Sequence, residues 1–201
     1  DINGDGKISG GSGTLNDTGD WTVIGNTTPR YLFGLDLNAS WKGFDLRMFF
    51  QGVMKRDFWQ GSTYLFGASN SGMWHATGIE SVSDYFRNDD TWSVQEGYQS
   101  PNLNSYLPRP LYSNKNLQTQ TRYLLSAAYI RLKNLQLGYT FPTRLTSRYG
   151  VQNLRIYFSG ENLWTGTSLV DQFDPETISG GSGGNGYPLS RTLSCGLSVT
   201  F

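Results

Sequence analysis

The stretch YLFGLDLNASWKGFDLRMFFQGVMK, Tyr31 to Lys55, decides the fold. Up to Trp41 it alternates strictly, with Tyr31, Phe33, Leu35, Leu37, Ala39 and Trp41 on one face and Leu32, Gly34, Asp36, Asn38 and Ser40 on the other. Successive side chains of extended backbone point to opposite sides, so a period of two held this long specifies a strand. Lys42-Gly43 interrupts it, and alternation resumes with Phe44, Leu46, Met48, Phe50 and Met54 set against Asp45, Arg47, Phe49, Gln51 and Lys55. Two strands separated by two residues, the second a glycine, read as a tight hairpin. Trp41 and Phe44 flank the turn and share a face, so both apolar sets meet on one side of the sheet and both polar sets on the other.

Strands of about ten residues with one apolar face suit two architectures: a soluble sandwich that covers that face with a second sheet, and a membrane barrel that turns it to lipid. The aromatics favour the barrel. Tyr31, Phe33, Trp41 and Phe44 stand near strand ends on the apolar side, where the girdles of a membrane barrel lie.

Composition narrows the function classes. Acidic and basic residues number 16 each among 201, which leaves no basic stripe to draw in nucleic acid through counterion release. A single cysteine, Cys195, forms no internal disulfide, and with one histidine, His75, both zinc chemistry and Ser-His-Asp catalysis are poorly supplied. No apolar run approaches the roughly 20 residues of a membrane-spanning helix. Mean hydropathy is −0.44, a value that alternating transmembrane strands also give. Asp1 falls directly on the first position of a metal-loop motif with no leader pattern ahead of it, so the start reads as a cut rather than a natural beginning.

Further along, periodicity is lost from Asp57 to Thr121, a stretch rich in Gly, Ser, Asn, Pro and aromatics and far longer than an ordinary connection. It returns in AYIRLKNLQLGYTFP, where Ile130 and Leu132 keep one phase and Leu135, Leu137, Tyr139 and Phe141 the other. A phase change near Lys133 and Asn134 predicts a bulge, or a strand that enters lipid only partway along. Pro142 to Gly150 is a short polar turn, followed by LRIYFSGENLW, with Leu154, Ile156, Phe158 and Gly160 opposed to Arg155, Tyr157, Ser159 and Glu161. A second irregular loop runs from about Thr165 to Tyr187, and the last strand, LSRTLSCGLSVTF, alternates from Leu189 to Phe201 with Arg191 alone breaking its apolar face. Short connections therefore alternate with long ones, as in outer-membrane barrels. With the last strand ending in the periplasm, the loops at 57–121 and 165–187 and the opening segment 1–29 are expected to be extracellular.

In order along the chain, DINGDGKIS followed by WTVIGN, the hairpin around WKGFDLRMFFQG, YIRLKNLQLGYTFP, IYFSGENLW, DPE and the terminal Phe201 resemble the C-terminal end of SusC/RagA-type TonB-dependent transporters. The resemblance covers nearly the whole chain. It implies an all-β fold: an antiparallel transmembrane β-barrel segment of about five strands from a larger barrel of roughly 22 strands. An open sheet with two unpaired edges is not viable in lipid, so residues 1–201 are expected to be the C-terminal part of one barrel domain, with the plug and the TonB-contacting segment elsewhere. The implied function is import of glycans or peptides across the outer membrane, together with a SusD-like surface lipoprotein that closes over the barrel. Phe201 looks like the signal that barrel-assembly machinery recognises.

Three groups of residues carry candidate chemistry. Asp1, Asn3 and Asp5 ahead of Gly6, with Lys7 and Ser9 following, begin as a calcium loop does, with oxygen ligands at alternate positions and a sharp glycine turn. The twelfth position is Ser12 where a carboxylate is needed, so Asp17 or Asp20 has to loop back; the other reading is a glycine-rich acidic turn without metal. Trp59, Trp74, Trp92 and Tyr98, with Tyr64, Tyr85 and Tyr106, crowd the long loop, where aromatic faces stack on sugar rings, meet a protein partner or pack the loop itself. Asp36, Asp45, Arg47, Arg155 and Glu161 line a solute path or pair within the barrel wall. The adjacent carboxylates Asp89 and Asp90, or Asp174 and Glu176, invite a glycosidase reading, but carboxylates in loops are usually just solvated and no enzyme is expected. The competing architecture is a secreted, calcium-loop-containing β-sandwich that binds carbohydrate.

Overall fold

A computed structural model describes residues 1–61, 63–67, 80–178 and 186–201. Five long strands form one antiparallel sheet: β1 (Arg30–Trp41), β2 (Phe44–Lys55), β5 (Tyr129–Thr140), β6 (Asn153–Thr167) and β7 (Thr192–Thr200), in that spatial order. Two short strands, β3 (Asp57–Trp59) and β4 (Leu124–Ser126), pair with each other at the base of the long connection between β2 and β5.

The first hairpin has the register that alternation dictates, with Trp41 opposite Phe44, Leu37 opposite Met48 and Leu35 opposite Phe50. Lys42 and Gly43 both have positive φ, 47° and 89°, the two-residue turn whose twist matches that of the flanking strands. The apolar row continues across the sheet through Leu46, Leu137, Phe158 and Cys195 in successive partners. The phase change in β5 is a bulge. Phe49 opposes Asn134 and Phe50 opposes Leu132, which leaves Lys133 as the extra residue. Beside it, β6 takes up its own irregularity between Trp164 and Glu161, with Asn162 at φ 52°. Leu132 and Leu135 thereby stay on the apolar side while Lys133 and Asn134 stay off it.

The apolar face is uncovered. Leu35, Leu137, Ile156, Phe158, Leu193 and Leu197 are all at least 40% exposed, and the only other sheet among the described residues is the β3–β4 pair. A sandwich would bury these side chains under a second sheet, and none lies there. Aromatics gather at both ends of that face: Trp41, Phe44, Tyr139, Phe141 and Phe201 toward the short turns, Tyr31 and Trp164 toward the long connections. The buried apolar clusters lie in the loops instead: Leu125, Ala127, Leu169, Phe173 and Ile178 form one, and Leu65, Phe66, Leu107 and Tyr123 another.

Three boundaries depart from the expectation. The irregular stretch expected from Asp57 starts inside β3, because Asp57 to Trp59 pair with Leu124 to Ser126 across the neck of the loop. Thr165 to Thr167, expected as loop, belong to β6: the bulge restores phase, and they pair with Tyr129 to Arg131. The last strand starts at Thr192 rather than Leu189, since β6 offers it no partner above Glu161, and Arg191 stands exposed just outside the sheet.

Candidate functional site

The polar face of the sheet is wired by ion pairs. Asp36 on β1 accepts from Arg47 on β2 at 2.7 Å. Asp45 on β2 reaches past β5 to Arg155 on β6, accepting from Nη2 at 2.5 Å and from Nε at 3.0 Å. That reach requires Gly138 beneath it, where an added Cβ would lie 2.5 Å from both Arg155 Nη2 and Asp45 Oδ1. On the next seam the Tyr157 ring lies flat over Gly196, where a Cβ would overlap it, with the Arg155 guanidinium 5.1 Å above the ring. Of the residues expected along a solute path, Asp36, Asp45, Arg47 and Arg155 are thus paired with one another within the wall.

At the long-connection end, Arg131 is 3% exposed and spends its whole fork: Nη2 to Asp174 at 2.7 Å, Nη1 to Glu176 at 2.9 Å and Nε to Thr165 at 2.8 Å. Lys133, presented by the bulge, donates to both oxygens of Glu176, at 3.0 and 3.1 Å. Asp174 also accepts the N–H groups of Glu176 and Leu189, so it ties both limbs of its loop to β5. Burial pushes the Asp174 carboxyl up, but the Arg131 hydrogen bond and charge together with those N–H groups outweigh it and hold the group below the usual carboxylate range. Asp174 and Glu176 are therefore clasp residues. In sequence the clasp shows only as two cations, Arg131 and Lys133, in a strand with no other charge, and that pattern names no partner.

The loop aromatics divide. Trp59 packs against the cluster of Leu65, Phe66, Leu107 and Tyr123, its ring 6.0 Å from that of Phe66. Tyr85 donates to Gln99 at 2.9 Å, and Tyr106 donates to the Arg122 carbonyl at 2.9 Å. Trp92 and Tyr98 are two-thirds exposed with ring centres 5.5 Å apart, a small outward aromatic surface on the short helix Trp92–Gln95 and the turn after it. Trp74, His75 and the Tyr64 side chain lie outside the described residues. Asp90 accepts from Asn88 at 3.2 Å.

In the opening loop the carboxylate that returns is Asp20. Its Oδ1 accepts from the N–H of Ile2 at 2.5 Å and of Asn3 at 3.3 Å, and its Oδ2 from Ser9 at 2.7 Å. Asp17 instead serves its own turn, accepting from Ser12 and Gly19. Asp1 accepts from Gly4, Asp5 and Gly6, and Asp5 accepts from Lys7 and from the Asn3 side chain. Backbone N–H bonds, from Ser9 first and then Ile2, hold the Asp20 carboxyl below its usual range, and those from Ser12 do the same for Asp17. The donor set is all oxygen, as a hard cation needs, but these carboxylates face backbone amides rather than one centre. Among the described residues no three His, Cys, Asp or Glu side chains are grouped to hold a metal.

Trp21, next to Asp20, forms one wall of a pocket of about 540 Å³ whose other wall is the segment Gln118 to Thr121. Sequence reasoning passed over this pair, since almost 100 residues separate its walls and neither carries a motif.

No family model matches the chain. Two curated proteins of Formosa agariphila are similar over its whole length: TonB-dependent receptor P3, 27% identical, and TonB-dependent receptor P26, 28% identical. The chain spans about a fifth of each, 18% and 19%. Among solved structures, the RagAB peptide importer in its closed-closed state matches 98% of the chain and 20% of its own length, with TM-score 0.64 and 23% identity. A further structure, of the RagAB peptide transporter, matches 89% of the chain and 18% of its own length, with TM-score 0.61 and 25% identity. Sequence and fold thus agree with the motifs: the chain is similar to TonB-dependent receptors and to RagAB, and its sheet is a segment of an antiparallel β-barrel.

Proposed function

We propose that this barrel segment works in a TonB-dependent transporter that imports oligosaccharides or peptides across the outer membrane of a Gram-negative cell, together with a SusD-like surface lipoprotein. The observation that carries the reading is the uncovered apolar face of the five-stranded sheet, backed by a polar face whose charges pair within the wall. Such a sheet needs lipid on one side and a water-filled or plugged lumen on the other. The long connections share one end and the short turns the other, which supports extracellular loops and periplasmic turns. Energy comes from TonB through a plug that these residues do not contain, and no reaction is catalysed. The resemblance to RagAB, described as a peptide importer, supports peptides as one substrate class.

Calcium in the opening loop is part of the proposal, supported by the spacing of Asp1, Asn3 and Asp5 and by the return of Asp20. It requires Asp1, Asp5 and Asp20 to turn onto one centre. Uptake by the intact transporter in its native cell tests the main reading. Import is expected to stop when TonB is removed, and the SusD-like lipoprotein is expected to co-purify. Import that persists without TonB would sink the reading.

A further inference from the structure

The pocket between Asp20–Ile24 and Gln118–Thr121 is lined by one indole, two side-chain amides, three threonine hydroxyls, Ile24 and a single carboxylate. Its size, about 540 Å³, is that of a small-ligand site. Its one charged group, Asp20, has both oxygens committed to backbone N–H groups of the opening loop, so the lining offers no free ion. What it offers is neutral. The Gln118 and Gln120 side-chain amides donate to the carbonyls of Asn114 and Gln118, at 3.2 and 3.5 Å, which leaves their amide oxygens without a partner among the described residues. The hydroxyls of Thr22, Thr119 and Thr121 likewise have none there.

Trp21 completes the set. Gly10 backs its indole so closely that an added Cβ would lie 2.9 Å from the ring, yet the residue is 70% exposed, so one ring face is supported and the other is open. Thr18 holds the Trp21 backbone, and Asp20 pins the loop that carries it.

We infer that this pocket binds one ring of an uncharged oligosaccharide. The open indole face takes the apolar face of the sugar, and the paired amide oxygens and threonine hydroxyls take its hydroxyls. An anionic side chain finds no counter-ion here, a cationic one finds only Asp20, whose oxygens are already turned to backbone N–H groups, and burying an ion without a well-placed partner is costly. A hydroxyl-rich neutral ring satisfies groups that otherwise depend on water.

The inference rests on the import reading and is tested so that the two can fail separately. The intact transporter in detergent is titrated against a panel of neutral oligosaccharides of varied linkage, with uronate-containing oligosaccharides and a peptide hydrolysate as comparison arms. Binding of a neutral oligosaccharide is expected, weakened about tenfold or more by Trp21→Ala, less by Trp21→Phe, and severalfold by Gln118→Ala with Gln120→Ala. Unchanged affinity in Trp21→Ala, or binding confined to the acidic or peptide arms, would overturn the inference. TonB-dependent uptake measured on the same variants keeps the import reading separate, because uptake that needs TonB but is indifferent to Trp21 sinks the inference alone.

Discussion

At the scale of single residues, Asp174 and Gly196 show opposite ways in which one position controls its surroundings. Asp174 is nearly buried and joins Arg131 to two backbone N–H groups, so Asp174→Ala leaves one arm of the buried guanidinium unpaired while Glu176 and Thr165 keep the others, a loss of about 2 kcal/mol. The loss should fall on the loop between β6 and β7. Limited proteolysis of the assembled protein is expected to cut there much faster than in the wild type, while the barrel still resists heating in detergent. Gly196 acts by absence, since any Cβ displaces the Tyr157 ring; Gly196→Val is expected to lower the yield of assembled barrel, read as loss of the heat-modifiable gel band. Asp20 supplies a pH test. Its folded pKa is depressed, so its hold on Ile2 and Ser9 is fully present above the ordinary aspartate range and is lost as pH falls through the lowered value. Protection of the Ser9 amide from exchange should therefore persist near pH 4 and vanish only in stronger acid; protection already gone at pH 5 would contradict the arrangement. Calcium titration of the intact protein, compared with Asp5→Ala, should give heat only in the wild type.

At the scale of elements, alternation made the sheet readable and stopped where alternation stops. The hairpin register followed from Trp41 and Phe44 flanking two residues, and the bulge followed from Leu132 and Leu135 both needing the apolar side. The clasp was not readable, because nothing local in Asp174-Pro175-Glu176 says that its partners sit about 40 residues earlier on β5. The loop clusters were hidden for the same reason: Trp59 looks like a binding aromatic in sequence and is claimed by Phe66 and its neighbours only once β3 and β4 close the neck. Deleting Lys133 offers a sharp test of the bulge. It would leave Leu132 and Asn134 adjacent in unbroken alternation against Phe50 and Phe49, so an assembled barrel is still expected in the gel-shift assay, whereas deleting Gln136, outside the bulge, inverts one half of the strand and is expected to abolish assembly.

At the scale of the whole molecule, the unpaired cysteine reports on the environment of the sheet. Cys195 is exposed in the apolar row between Leu193 and Leu197. In the intact protein reconstituted in lipid it should react with an apolar maleimide and resist a charged, membrane-impermeant one; rapid reaction with the charged reagent would place this face in water. The two outer strands, β1 and β7, each leave one edge unpaired in the described sheet, so the register of all five strands must pass on into whatever strands they join. Patterning alone protects that register only halfway. A slip of one residue inverts the faces and is forbidden, but a slip of two restores every apolar residue to the apolar side. The Asp45–Arg155 bridge closes this gap, since it spans three strands across Gly138, and a two-residue slip at either seam would part the charges by roughly 7 Å along the strand. It acts as a vernier mark on the wall, selecting among alignments that hydrophobicity counts as equal and so fixing the stagger on which the girth and tilt of a closed barrel depend.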